Sequence, residues 1–150
     1  MAQKFTLQPL LDLVRDRTDE ATRRLGMLVR AEQNAQKRLD LLAQYRAEYV
    51  QKFRDAQSEG MTLQAWRNYQ EFIDRIDLAI SQQSTQVEIA AQNTAAGQED
   101  WKAQNTKLKA LDTLAARQMA VHLKKEAKQE QKQLDELAGR QFQQGREMES

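Results

Sequence analysis

The residues that could do chemistry are few and scattered. His122 is the only histidine, and the chain of 150 residues contains no cysteine. A lone imidazole without a thiolate or a second histidine gives neither a zinc set nor a nucleophile–base pair, so His122 reads as structural or simply exposed. Missing cysteine also excludes disulfides, and no cofactor is expected. Gly26, Gly60, Gly97, Gly139 and Gly145 lie too far apart to cradle a phosphate. Acid pairs such as Asp19-Glu20 and Glu99-Asp100 read as solvated helix charge. The chain is not expected to be an enzyme.

The residues with chemical character are aromatic. Tyr45, Tyr49, Phe53, Trp66, Tyr69 and Phe72 crowd into one stretch of a chain that is only 6% aromatic. Their chemistry is burial and contact. They could cap the end of a helix pair, where a thin seam needs bulk. They could also form an interaction surface, because exposed aromatics on a polar protein mark interfaces. The two readings are compatible for different members of the set.

The elements that hold them follow from composition and spacing. One proline, five glycines and 30% charged residues, with Gln, Ala, Glu, Lys, Arg and Leu abundant, describe long helix. Leu7, Val14, Ala21, Leu28, Ala35, Leu42, Tyr49 and Ala56 recur every seven residues. Four residues after each comes a second series: Leu11, Thr18, Leu25, Glu32, Leu39, Arg46 and Phe53. Alternating spacings of four and three put both series on one helix stripe, and a sustained seven-residue period imposes a left-handed supercoil. Glu32 and Arg46 are the polar members, suited to setting register or snorkelling at the seam edge. Pro9 fits the first turn of a helix capped by Thr6.

The repeat breaks once, at residues 57–62. Gly60 can close one helix in the left-handed conformation and Thr62 can cap the next. The stripe restarts as Trp66, Ile73, Ile80, Val87, Thr94, Trp101, Leu108 and Ala115, interleaved with Tyr69, Ile76, Gln83, Ala90, Gly97, Gln104 and Leu111. The expected fold is therefore all-α: a single hairpin over 1–150 of two long helices in an antiparallel left-handed coiled coil. Helices are expected over about 6–58 and 62–144, with the turn at about 58–62. Folding about residue 60 pairs residue n with roughly residue 120 − n, so that Leu7 faces Ala115. The stretch Gln83 to Gln104, small and polar around Ala90, Ala91, Thr94, Ala95, Ala96 and Gly97, is expected to be thin and loosely packed against the small region Ala21 to Ala35. The second helix overhangs the first, at about 120 Å against about 80 Å. Its tail after about Arg117 lacks an intramolecular partner, so it should fray alone and order on something else.

A net charge of +1, with both signs interspersed, argues against nucleic acid as a partner. No apolar run is long enough to span a bilayer, and the start lacks a signal-peptide core.

These residues resemble a family. The chain resembles FliJ, the coiled-coil component of the bacterial flagellar type III export apparatus. The likeness covers nearly the whole length. It rests on Met1-Ala2-Gln3 with Leu7, Leu10 and Leu13, then on Leu39, Leu42, Tyr45 and Tyr49. Trp66, Asn68-Tyr69-Gln70, Phe72-Ile73 and Ala79-Ile80 continue it, and Trp101, Lys107-Leu108, Leu111, Arg117-Gln118 and Asp135-Glu136 complete it. The resemblance implies a stalk like that of the ATP-synthase γ subunit. It also implies binding at the centre of the hexameric export ATPase ring, promoting ring assembly and activity. The further partners it implies are the cytoplasmic domain of the export-gate membrane protein and the chaperones of export substrates. It implies gate contacts at Leu42, Tyr45, Tyr49, Phe72, Ile76, Ala79 and Gln83, and ring contacts at Asp135, Glu136 and Arg140. The location implied is cytoplasmic, peripheral to the inner-membrane export apparatus. The alternatives are an equivalent stalk of a virulence-type secretion system, or a non-export amphipathic or structural helix protein. A seven-periodic, narrow apolar face argues against lipid binding.

Overall fold

The computed structural model of the protein describes residues 5–149. It contains two helices that pack against each other, α1 (Gln8–Glu59) and α2 (Leu63–Glu149), and no strand among the described residues. α1 begins at Gln8 rather than near residue 6, and α2 runs past the expected 144. By contact the chain divides into two units. One is Thr18–Gln104; the other joins the residues up to Arg17 with those from Asn105 onward.

In the unit Thr18–Gln104 the seven-residue stripe forms the seam. Thr18, Ala21, Ile73, Ile76, Thr94 and Gly97 are buried. Leu25, Leu28, Leu39, Leu42, Phe53, Ile80 and Val87 are half-buried between them. No side chain is wholly excluded from solvent among the described residues, as expected when two helices cover one stripe each. The helices run antiparallel here: Thr22 meets Trp101, Leu28 meets Thr94, Ala35 meets Gln83 and Arg46 meets Asp77. Each pair lies within a few residues of the 120 − n rule.

The turn behaves as its residues require. Gly60 has φ 91°, and its N–H donates to the Gln57 carbonyl at 3.2 Å. A Cβ at position 60 would meet nothing within 4 Å, so the dihedral and not space demands glycine. Thr62 caps α2: its Oγ1 accepts the Ala65 N–H at 3.1 Å.

Polar groups stitch the middle of this seam. The Trp101 Nε1–H donates to Thr22 Oγ1 at 2.9 Å, and that hydroxyl donates to the Thr18 carbonyl at 2.9 Å. Thr94 Oγ1 lies 3.1 Å from the Ala90 carbonyl of its own helix and 3.3 Å from the Leu28 carbonyl opposite. The buried Oε1 of Gln104 has no hydrogen-bond partner among the described residues.

Within the stretch expected to pack loosely, the seam is tight around Gly97. A Cβ there would lie 2.7 Å from Leu28 Cδ1 and 3.6 Å from Leu25 Cδ1. The reason is register: Leu25 and Leu28, not alanines, fall opposite Gly97 and fill the space it leaves. The thin place lies elsewhere in the expected stretch, at Gln83 and Ala90 opposite Ala31 and Ala35, where a groove of about 360 Å³ opens.

In the other unit a small apolar cluster joins the two segments. Leu11, Val14 and Leu111 are buried, with Phe5, Leu108 and Ala115 packed on them, and Arg15 pairs with Asp112 at 3.3 Å. Leu7, expected in this seam, is 41% exposed. It precedes the helix, its carbonyl accepts the Leu11 N–H at 2.8 Å, and a turn closed by Gln8 N–H on the Phe5 carbonyl brings Phe5 onto the cluster instead. Leu7 thus takes the capping place expected of Thr6, and Pro9 still falls in the first turn. The Met1-Ala2-Gln3 segment lies outside the described residues. From Leu123 to Glu149, α2 continues with every side chain exposed.

Candidate interaction surface

Helical spacing assembles the aromatic cluster. Tyr45, Tyr49 and Phe53 are spaced by four on α1, so they stack along one side. Tyr69 and Phe72 are spaced by three on α2. Antiparallel pairing brings the two rows together: Tyr49 lies 4.3 Å from Phe72 and 5.4 Å from Tyr69 between ring centroids. Phe53 lies 5.3 Å from Tyr69, and Tyr45 meets Phe72 edge-on at 6.1 Å. Such tilted and T-shaped arrangements are the favoured geometries for aromatic pairs. Tyr49 is the hub. Its desolvation among the rings pushes the phenol pKa above its ordinary 10.0, and Tyr69 and Tyr45 push it the same way.

The seven residues implied for gate binding divide by burial. Ile76 is 5% exposed and belongs to the seam. Tyr49 is half-buried at the centre of the rings. Gln83 is half-buried and donates its Nε2–H to the Ala35 carbonyl at 2.9 Å. These three tie the helices together. Tyr45 is 47% exposed, and Leu42, Phe72 and Ala79 are half-buried. The Tyr45–Phe72 contact sets both on one flank of the seam, and Ala79, seven residues beyond Phe72, follows on that flank. Arg46 pairs with Asp77, which helical periodicity puts on the opposite flank of α2. That bond to Asp77 raises the Arg46 pKa.

Two exposed residues extend or depart from the sequence reading. Leu41 is 64% exposed and precedes Tyr45 by one turn, so it lengthens the apolar ridge. Its signal was available, since a leucine just outside the stripe and four residues before Tyr45 shares its side of the helix. Trp66, expected in the seam, is 41% exposed. It lies in the first turn of α2, beside the exposed Leu63 and the turn between the helices.

Asp135, Glu136 and Arg140 lie on the exposed tail, in the other unit. Asp135 accepts the Gln131 amide at 3.0 Å, and Glu136 and Arg140 are one turn apart on one face. His122 is half-buried, with Nε2 3.1 Å from Glu126 Oε1 one turn on. Among the described residues no three His, Cys, Asp or Glu side chains converge as metal ligands would, and no helix is long and apolar enough to cross a membrane.

Comparison with known proteins adds the relationship. The sequence profile described as flagellar FliJ protein matches residues 3–147. A flagellar FliJ protein of Salmonella typhi is 34% identical over 140 residues, covering 93% of this chain and 95% of its own. The flagellar FliJ protein of Escherichia coli K12 matches with the same identity and coverage. Among solved structures, that of a proposed YscO homologue from Chlamydia trachomatis covers 97% of this chain and 99% of its own, at 19% identity and a TM-score of 0.49.

Proposed function

The chain belongs to the flagellar FliJ family, and from that premise we propose that it serves flagellar protein export by binding other proteins rather than by catalysis. The ridge of Tyr45 and Phe72, with Leu42 and Ala79 beside them, contacts the cytoplasmic domain of the export gate. Tyr49, Ile76 and Gln83 hold that ridge in shape from within the seam. The exposed tail, with Asp135, Glu136 and Arg140, engages the centre of the hexameric export ATPase and promotes its assembly and activity. Substrate chaperones are handled through the same protein. It works in the cytoplasm, at the inner-membrane export apparatus.

The observation that carries this reading is the pair of unsatisfied surfaces. A ridge led by the exposed Tyr45 lies in one unit, and in the other the side chains of α2 from Leu123 to Glu149 are exposed. Surfaces of this kind gain by being covered, because apolar area leaves water and a lone helix gains tertiary support. Binding of the purified gate domain tests the ridge. Tyr45→Ala with Phe72→Ala should weaken it by at least about tenfold, the size expected of aromatic anchors. Unchanged affinity would refute the ridge assignment. Removing residues after Arg117 should abolish ATPase stimulation, and intact stimulation would refute the tail assignment.

A further inference from the structure

Two charged residues interrupt the stripe of α1, and their fates differ. Arg46 pairs across the seam with Asp77. Glu32 is half-buried at the equivalent place two repeats earlier. No ion pair reaches its carboxylate among the described residues. Register gives the reason. Two seven-residue steps back along α1 are matched by two onward along α2, so Ala91 stands opposite Glu32 as Asp77 stands opposite Arg46. Ala91 supplies no cation, and Glu88, three residues before it, has the same sign as Glu32.

The same layer of the unit Thr18–Gln104 is thin. The groove of about 360 Å³ opens there, between Ala31 and Ala35 on α1 and Gln83 and Ala90 on α2. Gln83 spans the layer by donating its Nε2–H to the Ala35 carbonyl at 2.9 Å. The seam is better filled on both sides of it. In one direction Leu25 and Leu28 occupy the space that Gly97 leaves. In the other, Leu39, Leu42, Ile76 and Ile80 lead to the rings, where Tyr49 and Phe72 lie 4.3 Å apart between centroids.

We infer that the layer at Glu32 and Ala91 is an opening point built into the hairpin: the helices part there while the stretches on either side stay paired. Parting costs little at this place. Alanines return little apolar area to water. The Gln83 bond is exchanged for bonds to water, so its net loss is small. The Glu32 carboxylate gains hydration that a half-buried place denies it, and no cation is left unpaired behind it. At Ile76 or Tyr49 the same step would uncover a large side chain. Opening is therefore local, and it uncovers Val87 and Ala90 of the stripe without loosening the aromatic end.

The test is hydrogen exchange of the full chain, parent and variants, read at single amides. Those from Val87 to Ala91 should exchange at least about tenfold faster than those around Ile76 and around Gly97. Glu32→Leu puts a seam leucine in place of the carboxylate and should slow them about tenfold, with the amides around Ile76 unchanged. Glu32→Gln removes the charge but keeps the size, and should slow them several-fold. Ala91→Arg gives Glu32 the partner that register withholds and should also slow them several-fold, as a half-exposed pair allows. In the Glu32→Gln chain that second gain should vanish. Uniform exchange along the seam of the parent would overturn the inference. So would exchange at Val87 to Ala91 that neither Glu32→Leu nor Ala91→Arg slows.

Discussion

The same helix, α2, lives in two environments. Between Tyr69 and Gln104 it presents a residue to α1 every three or four positions, and Ile73, Ile76, Thr94 and Gly97 are buried there. Between Leu123 and Glu149 it is just as helical, yet Leu123, Leu134, Leu137 and Phe142 are each more than half exposed. Both stretches are rich in Gln and free of proline, so local propensity supports helix in each. What differs is whether a second stripe faces the first. Secondary structure alone therefore says little about where this protein is stable; the seam does.

Leucine and isoleucine truncations should break the two environments apart most clearly. Ile76→Ala removes a side chain that is 5% exposed. It should cost about 2–3 kcal/mol, toward the lower end for buried aliphatics because a two-helix seam can partly collapse. Leu134→Ala, at a side chain 60% exposed, should change the unfolding midpoint by less than about 0.5 kcal/mol. Urea unfolding of both variants measures the contrast, and equal costs would erase it.

Glycines sharpen the same contrast at smaller scale. Gly139→Ala has open space around its new Cβ, so the tail should gain about 1 kcal/mol of helix propensity, read as increased helicity. Gly97→Ala carries the same propensity gain, but its Cβ would meet Leu28 Cδ1 at 2.7 Å. Leu28 must move, so most of the gain should disappear, and Leu28→Ala in the same chain should restore it.

The smallest effect should be a pH dependence confined to the rings. The Tyr49 phenol has its pKa raised by desolvation among its neighbours. Its contribution to stability is fully present below the ordinary value of 10.0 and is lost as pH rises through the higher folded value. Tyr49→Phe should remove part of the alkaline fall in the unfolding midpoint. An identical alkaline curve would show that Tyr49 is not held away from water.

Much of the hairpin was legible because a seven-residue period names a face before any contact is known. The stripe from Val14 to Ala56, the turn at Gly60, the cap at Thr62 and the pairing about residue 60 all follow from spacing and turn chemistry. Tyr45 and Phe72 could be placed beside the seam, and Tyr49 and Tyr69 in it, by the same count. Periodicity fails at the ends of the helices themselves. Trp66 and Leu7 continue the pattern on paper, but one lies next to the turn and the other ahead of the first helical turn, so neither is covered. Nor does the period reveal which large residue stands opposite a small one. A one-turn difference decides that Gly97 meets Leu25 and Leu28, and that the groove opens at Ala31, Ala35 and Ala90. The candidate surface was only half legible: crowding of aromatics marks a place, while the assignment of its partner came from family resemblance and not from spacing.

Hydrogen exchange of the isolated protein, resolved along the chain, tests the central claim most directly. Amides of the seam around Ile73, Ile76 and Trp101 should be strongly protected, while those from Leu123 to Glu149 exchange at nearly the rate of an unstructured chain. Protection extending unbroken through Phe142 in the protein alone would show that the tail is stabilised without a partner, and would contradict the account.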